Sequence, residues 1–155
     1  LIELVLTLIL VGMIGAFTGF FLFTGVRGYL TTKETTEGAL RAQTALERIS
    51  KELRYIETMP SAPVANSSIT YTSKRLPGQR RISYADGVIS ISVDGGTEWP
   101  LMKDVDTFNL SWTPADLNDD TVDDIAGITI SFNTAQVGQM FSTTIYPRGF
   151  FAAPP

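Results

Sequence analysis

Glu3 is the first residue of this chain whose chemistry differs sharply from its surroundings. It stands before residues 4–26, a run of 23 residues that contains no Asp, Glu, Lys or Arg. An ionisable side chain at a membrane-spanning segment is costly, and it is by default a functional residue whose partner has to be found. The chemistry that suits Glu3 is ion pairing in a low-dielectric environment, so its function depends on the group that neutralises it.

A second segment with chemically useful side chains is residues 116–124, which contain five aspartates. Alternate positions of this segment carry oxygen donors, with Val122 offering its backbone carbonyl: Asp116, Asn118, Asp120, Val122 and Asp124. This spacing is similar to the start of an EF-hand or dockerin calcium loop. The segment departs from that pattern at Thr121, where a glycine is expected, and at Gly127, where a bidentate Glu is expected. Ca²⁺ is therefore a candidate cofactor, and a solvated acidic loop is the alternative.

The composition excludes several classes of function. The chain has no His and no Cys, so the commonest general base, the thiol nucleophile and most zinc ligands are missing. No phosphate-binding loop motif and no nucleophile elbow occur in the sequence. We therefore expect no enzymatic activity. The net charge of −4 also gives no general support for nucleic-acid binding.

The apolar run that follows Glu3 predicts a membrane-spanning or otherwise buried helix. As a helix, residues 4–26 extend about 35 Å, enough to cross a hydrocarbon core of about 30 Å. A secretory signal is disfavoured, because the run is long and lacks flanking basic and small-residue cleavage signals. Gly12, Gly15 and Gly19 weaken a helix, and they indicate either close helix packing or local loosening.

The next segment, residues 29–58, has the pattern of an amphipathic helix. Its larger apolar residues keep largely to one face, with Ala42 and Ala45 beside them: Leu40, Leu46, Ile49, Leu53 and Ile56. Pro60 and Pro63 predict that the helix stops near Thr58. Its apolar stripe is suited to packing on a sheet.

Residues 59–155 read as short β-strands separated by turns. The predicted strands are rich in β-branched and aromatic residues and cover residues 69–72, 81–84, 88–93, 108–113, 128–133 and 141–146. Asp86-Gly87 between two alternating runs is a strong hairpin signal. The fold class is therefore α+β, in which one long N-terminal helix packs on a C-terminal antiparallel sheet with a single core.

The first ten residues, LIELVLTLIL, resemble the N-terminus of bacterial type IV pilins and type II secretion pseudopilins. In that family a leader is cut after a glycine, and the mature chain begins with an N-methylated Phe, then usually Thr or Ser, then Leu-Ile-Glu-Leu. Leu1-Ile2-Glu3-Leu4 matches the end of this pattern. The resemblance implies the pilin fold, with a filament-core or membrane half at 1–28, an amphipathic half at 29–58 and a globular domain at 59–155.

The resemblance also implies roles for particular residues. Glu3 would pair with the N-terminal amine of a neighbouring subunit, and Gly12, Gly15 and Gly19 would loosen the helix where many relatives carry a proline. The residues that would pack in the filament core are Leu4, Leu8, Val11, Phe17, Phe20 and Phe21. The implied partners are copies of the same chain, the inner membrane before assembly and the assembly machinery, and the implied final location is an extracellular filament.

Two functional alternatives remain open within this resemblance, and one basic cluster has three interpretations. One is a minor pilin or pseudopilin of a short periplasmic filament, because residues 101–113, followed by an acidic loop and then a strand, resemble that subgroup more than the disulfide-loop pilins. Another is a conductive filament, since aromatic residues crowd the helix at Phe17, Phe20, Phe21, Phe23 and Tyr29. The basic cluster Lys74, Arg75, Arg80 and Arg81 is read as a solvated hairpin tip, a patch for an acidic surface of an adjacent subunit, or a DNA contact.

Overall fold

The fold is that of a computed structural model, which describes residues 1–61, 63–117 and 124–148. Helix α1 spans Ile2–Leu53, and eight strands follow it: β1 Ile56–Thr58, β2 Ser68–Ser73, β3 Gln79–Ala85, β4 Val88–Val93, β5 Trp99–Met102, β6 Val105–Ala115, β7 Asp124–Thr134 and β8 Met140–Ile145. All strand pairs are antiparallel. The predicted α+β class is therefore confirmed.

The chain divides into two compact units, Leu1–Glu37 and Gly38–Pro155. The first unit is helix alone. In the second unit, helix α1 buries a stripe at helical spacing, consisting of Gly38, Ala42, Ala45, Ile49, Glu52 and Leu53. Small residues at the start of this stripe let neighbouring atoms approach closely, since a Cβ on Gly38 would lie 2.9 Å from Cγ2 of Val137.

Two details of the predicted helix are wrong. The sequence pattern places Leu40 on the apolar stripe, but its side chain is 60% exposed, because the buried face passes through Gly38 and Ala42 instead. The helix ends at Leu53 rather than near Thr58. Ile56 is buried and starts strand β1, which pairs with β2. Residues 56–58 therefore belong to the sheet, and the helix ends well before Pro60.

The strands form two sheets, whereas the sequence predicts one. The first sheet has the order β1-β2-β3-β4-β5, and the second has the order β6-β7-β8. Between them Asp104 adopts a left-handed conformation, with φ of 58°, which turns the chain out of β5 and into β6. The sequence-based prediction does not include strands β1 and β5. Strand β1 has a helical sequence pattern, and β5 contains Pro100, which is tolerated there because β5 lies at a sheet edge.

One apolar core joins the helix and both sheets of the second unit. Its members include Ile49 and Leu53 from α1, Ile82 and Ile89 from the first sheet, and Phe132 from the second. The rings of Tyr84 and Phe108 stack at 5.3 Å between centroids and so connect the two sheets. The predicted inward face of β7, which holds Ile128, Ile130 and Phe132, is confirmed, since none of these side chains is more than 1% exposed.

Candidate functional site

The first half of helix α1 presents an apolar surface that no other part of the described chain covers. All of the predicted packing residues are more than half exposed: Leu4 63%, Leu8 65%, Val11 67%, Phe17 75%, Phe20 72% and Phe21 80%. The most apolar 18-residue window has a mean hydropathy of 2.3, and none of it is buried. Among the described residues, one helix, α1, is therefore long and apolar enough to cross a membrane. A continuous apolar surface of this extent marks a membrane or protein contact.

Glu3 lies in the first turn of this helix and is exposed. The first backbone N–H groups of a helix lack partners within it and carry a partial positive charge, which favours an acidic side chain there. Within residues 1–61, 63–117 and 124–148, no hydrogen bond or ion pair engages the Glu3 carboxylate. The predicted pairing of Glu3 with a neighbouring subunit stays a prediction.

Gly12, Gly15 and Gly19 lie inside the continuous helix rather than at a break in it. A Cβ at any of the three would meet nothing within 4 Å, so packing in this single chain does not require a glycine at these positions. Both predicted roles, close packing against another helix and loosening within an assembly, concern contacts with other molecules. They stay predictions.

The helix aromatics do not stack on one another within the described part of one chain. The ring pairs found there are Tyr84–Phe108 and Phe132–Phe141, and both lie in the sheets. On the helix, the guanidinium of Arg27 lies 4.9 Å from the ring centroid of Phe23. An aromatic conduction path would need closely stacked rings, which only neighbouring subunits could supply.

The acidic segment falls partly outside the described residues, which exclude the candidate ligands Asn118, Asp120 and Val122. Asp124 pairs in register with Ala115 at the end of the β6–β7 ladder where the connecting segment joins the two strands, and it is only 3% exposed. Its Oδ2 atom has no hydrogen-bond partner among the described residues. A buried carboxylate oxygen that accepts no hydrogen bond is a suitable ligand for a cation. However, the described residues contain no group of three His, Cys, Asp or Glu side chains that could hold a metal ion.

The predicted basic cluster does not form a single patch. Arg80 points into the core and is 8% exposed, because β3 alternates between exposed Gln79, buried Arg80 and exposed Arg81. Nη2 of Arg81 donates to Oγ of Ser68 at 3.3 Å. The interpretation of these residues as one solvated hairpin tip is therefore wrong for Arg80, whose guanidinium forms an ion pair with a buried carboxylate.

Arg80 belongs to a buried ionic cluster centred on Glu52. Nε of Arg80 lies 2.9 Å from Oε2 of Glu52, and Nη2 of Arg80 donates to Oε1 at 3.1 Å. The Nε contact is an ion-pair distance without hydrogen-bond alignment, since Nε has no hydrogen-bond partner. Arg48, one helical turn before Glu52, approaches Oε1 at 3.0 Å from the more exposed side.

The phenol of Tyr71 completes this cluster by donating to Oε2 of Glu52 at 3.3 Å. Burial raises the pKa of Tyr71 well above its ordinary value, and the adjacent Glu52 carboxylate raises it further. Sequence reasoning missed this cluster. The available signal was that Glu52 continues the buried stripe, three residues after Ile49 and seven after Ala45. The cluster therefore joins α1 to β2 and β3.

No family model, no curated protein and no solved structure matches this chain.

Proposed function

We propose that this chain is a structural subunit of a bacterial type IV pilus or pilus-like extracellular filament, held in the filament by the first half of helix α1. The observation that supports the proposal is an exposed apolar helix surface headed by one carboxylate without a partner in the described chain. The resemblance of residues 1–10 to the pilin N-terminus supplies the type of assembly.

The apolar surface explains why the subunit would stay in a membrane or a filament and not in water. Each large apolar side chain kept from water contributes about 1.5–3 kcal/mol. The six packing residues are only part of this surface, so release into solvent is strongly unfavourable. Lipid covers the surface before assembly in the inner membrane, and the same surfaces of neighbouring subunits cover it afterwards. The motor that moves the subunit between the two is a separate protein complex.

Glu3 sets the axial register in this proposal. A buried carboxylate without a partner costs several kcal/mol, and an opposite charge in the same low-dielectric region offsets much of that cost. The N-terminal amine of a neighbouring subunit is the group that the family resemblance provides. Only the register that brings this amine to Glu3 neutralises both charges.

The test replaces Glu3 with Gln or Ala in the full-length precursor and compares each variant with Glu34→Gln. Glu34 is an exposed carboxylate of the same helix outside the apolar run. We expect all variants to reach the membrane fraction in equal amounts and only the Glu3 variants to lose filaments, counted by negative-stain electron microscopy. Normal filament yield from Glu3→Gln would contradict the proposal, and loss of membrane insertion would indicate that Glu3 acts earlier.

The second candidate function is a minor pilin or pseudopilin that primes or tips a short periplasmic filament. The absence of cysteine in all 155 residues favours it, because many major pilins close a C-terminal loop with a disulfide. Long uniform fibres of the purified subunit support the first function, and short fibres that need other subunits support the second. A chain that inserts in the membrane but enters no fibre would be a plain single-span anchor, which would contradict both.

A further inference from the structure

A cavity of about 500 Å³ opens where helix α1 ends against the end of strand β2. Its walls include the basic side chains Arg48, Lys51, Arg54 and Arg75, together with the ring of Tyr55. This volume lies within the range of about 300–1,000 Å³ that is typical of small-molecule sites. All of these residues belong to the second compact unit.

The walls of this cavity are strongly cationic in a chain whose net charge is −4. Glu52 is the one acidic residue among the described residues that line it, and that carboxylate already contacts Arg80, Tyr71 and Arg48. The charges of Lys51, Arg54 and Arg75 are therefore not neutralised by the cavity walls. Arg148 adds a further cation nearby, with its Cζ atom 5.6 Å from the centroid of the Tyr55 ring.

The Tyr55 ring contacts two of these cations, Arg75 and Arg148, and hydrogen bonds fix the backbone at the same two residues. Cζ of Arg75 lies 3.8 Å from the Tyr55 ring centroid, and the backbone N–H of Arg75 donates to Oγ of Ser73 at 3.4 Å. The backbone N–H of Arg148 donates to the carbonyl of Arg54 at 2.9 Å. When the face of a guanidinium stacks on an aromatic ring, the N–H donors at its edge stay available to bind another group.

These features favour a phosphoryl group over a carboxylate. A phosphoryl group carries a charge of about −1.5 to −2 and three acceptor oxygens, so it can neutralise two cations at once. Arginine donors form a planar fork that matches phosphate oxygens in pairs. The Tyr55 ring and Leu76 supply apolar contacts for whatever carries the group.

We propose that this cavity is a phosphoryl-binding site, for inorganic phosphate or for a phosphate monoester of a small molecule. Arg75 and Arg54 bind the phosphoryl oxygens, Lys51 adds charge, and Tyr55 positions Arg75. The proposal concerns the folded unit alone and does not depend on filament assembly.

The test is isothermal titration calorimetry of the full chain in a nonionic detergent, at constant ionic strength, with inorganic phosphate and with glucose 6-phosphate. We expect saturable binding of one equivalent. Tighter binding of the sugar phosphate would assign the site to a monoester, and equal or tighter binding of inorganic phosphate would assign it to the free ion. Arg75→Gln and Lys51→Gln should each weaken binding by about tenfold, which corresponds to about 1.4 kcal/mol.

Lys74→Gln is the matched control, because Lys74 precedes Arg75 in the chain, is exposed and does not line the cavity. It removes the same charge and should leave the affinity within about twofold, since an exposed charge off the site is largely screened by salt. Equal losses in Lys74→Gln and Arg75→Gln would overturn the proposal by showing general charge attraction.

Three other outcomes would also overturn the proposal. One is the absence of saturable heat at millimolar phosphate, and another is binding of acetate as tight as that of phosphate. In the third, a synthetic peptide of residues 115–124 binds in place of phosphate, which would assign the cavity to the acidic segment of a second copy. Because Lys51 and Arg75 are tested separately, a folding defect in one variant leaves the other to decide.

Discussion

Arg80 of strand β3 holds Glu52 of helix α1 through two contacts, 2.9 Å from Nε to Oε2 and 3.1 Å from Nη2 to Oε1. The two side chains are 10% and 3% exposed. Removal of Glu52 leaves the Arg80 charge buried without this partner, and removal of Arg80 leaves the buried Glu52 carboxylate with only Arg48 and Tyr71. We expect Glu52→Leu and Arg80→Leu each to lower the free energy of unfolding by about 3–5 kcal/mol. Denaturation followed by tryptophan fluorescence measures this, because Trp99 and Trp112 both lie in the sheets.

The double variant Glu52→Leu/Arg80→Leu should lose much less than the sum of the two single losses, because no charge is left unpaired in the core. Glu47→Gln, an exposed carboxylate of the same helix, is the control and should stay close to the unchanged chain. Additive losses in the double variant would contradict a direct interaction between the two residues.

A second prediction concerns alkaline pH and Tyr71. The pKa of Tyr71 is raised above its ordinary value of 10.0, first by burial and then by Glu52. Above pH 10.0 the unfolded chain releases a proton that the folded chain keeps, so the stabilisation is fully present below pH 10.0 and is lost as the pH rises. Unfolding free energies measured across this range should fall more steeply for the unchanged chain than for Tyr71→Phe. Parallel slopes would contradict the assignment.

A third prediction concerns the turn before β3, where Gly78 has φ of +88°. A Cβ there would lie 2.6 Å from Oδ2 of Asp94, and Asp94 is not free to move because its Oδ1 accepts from the backbone N–H of Gln79 at 2.7 Å. Gly78→Ala should therefore cost more than the about 1–3 kcal/mol expected for left-handed strain alone.

Gly95→Ala is the matched control, since Gly95 has φ of +68° but a Cβ at that position would meet nothing within 4 Å. The difference between the two losses, measured by the same denaturation experiment, isolates the displacement of Asp94. Equal losses would mean that the Asp94 side chain moves aside at no cost.

A fourth prediction concerns Ca²⁺ and Asp124. Its buried Oδ2 lacks a hydrogen-bond donor, and the sequence around it supplies further carboxylates. If residues 116–124 bind calcium, titration of the full chain should release or absorb heat and raise the melting temperature at millimolar Ca²⁺. Asp124→Asn should abolish both effects, while Asp86→Asn in the β3–β4 hairpin turn should not. No heat and no melting shift in the unchanged chain would end the calcium hypothesis.

Local chemistry is enough to predict the β3–β4 hairpin. Ala85 pairs with Val88, so the turn is the two-residue Asp86-Gly87, with φ of 50° and 73° as this turn type requires. The inward face of β7 is likewise visible in the sequence, because its apolar residues alternate with polar ones. These features depend on residues that are close together along the chain.

The features that sequence reasoning missed depend on residues that are far apart along the chain. Ile56 follows the helical pattern, but pairing with Ser73 draws it into β1. Arg80 has the composition of an exposed strand residue, and only the position of Glu52, 28 residues earlier, makes its burial favourable. The separation into two sheets likewise depends on the conformation of the chain at Asp104. For Glu3, the sequence predicts a partner, and no described residue of the chain supplies one.

Helix α1 runs without a break from Ile2 to Leu53, so traction on its first residues is carried along the backbone to its last turn. Strand β1, which follows, has three residues and an irregular register with β2, so it offers little resistance to shear. Glu52 lies one residue before the helix end, and its contacts with Arg80 anchor that turn to the middle of the first sheet. The buried ion pair is therefore also a mechanical link between the last turn of the helix and the first sheet.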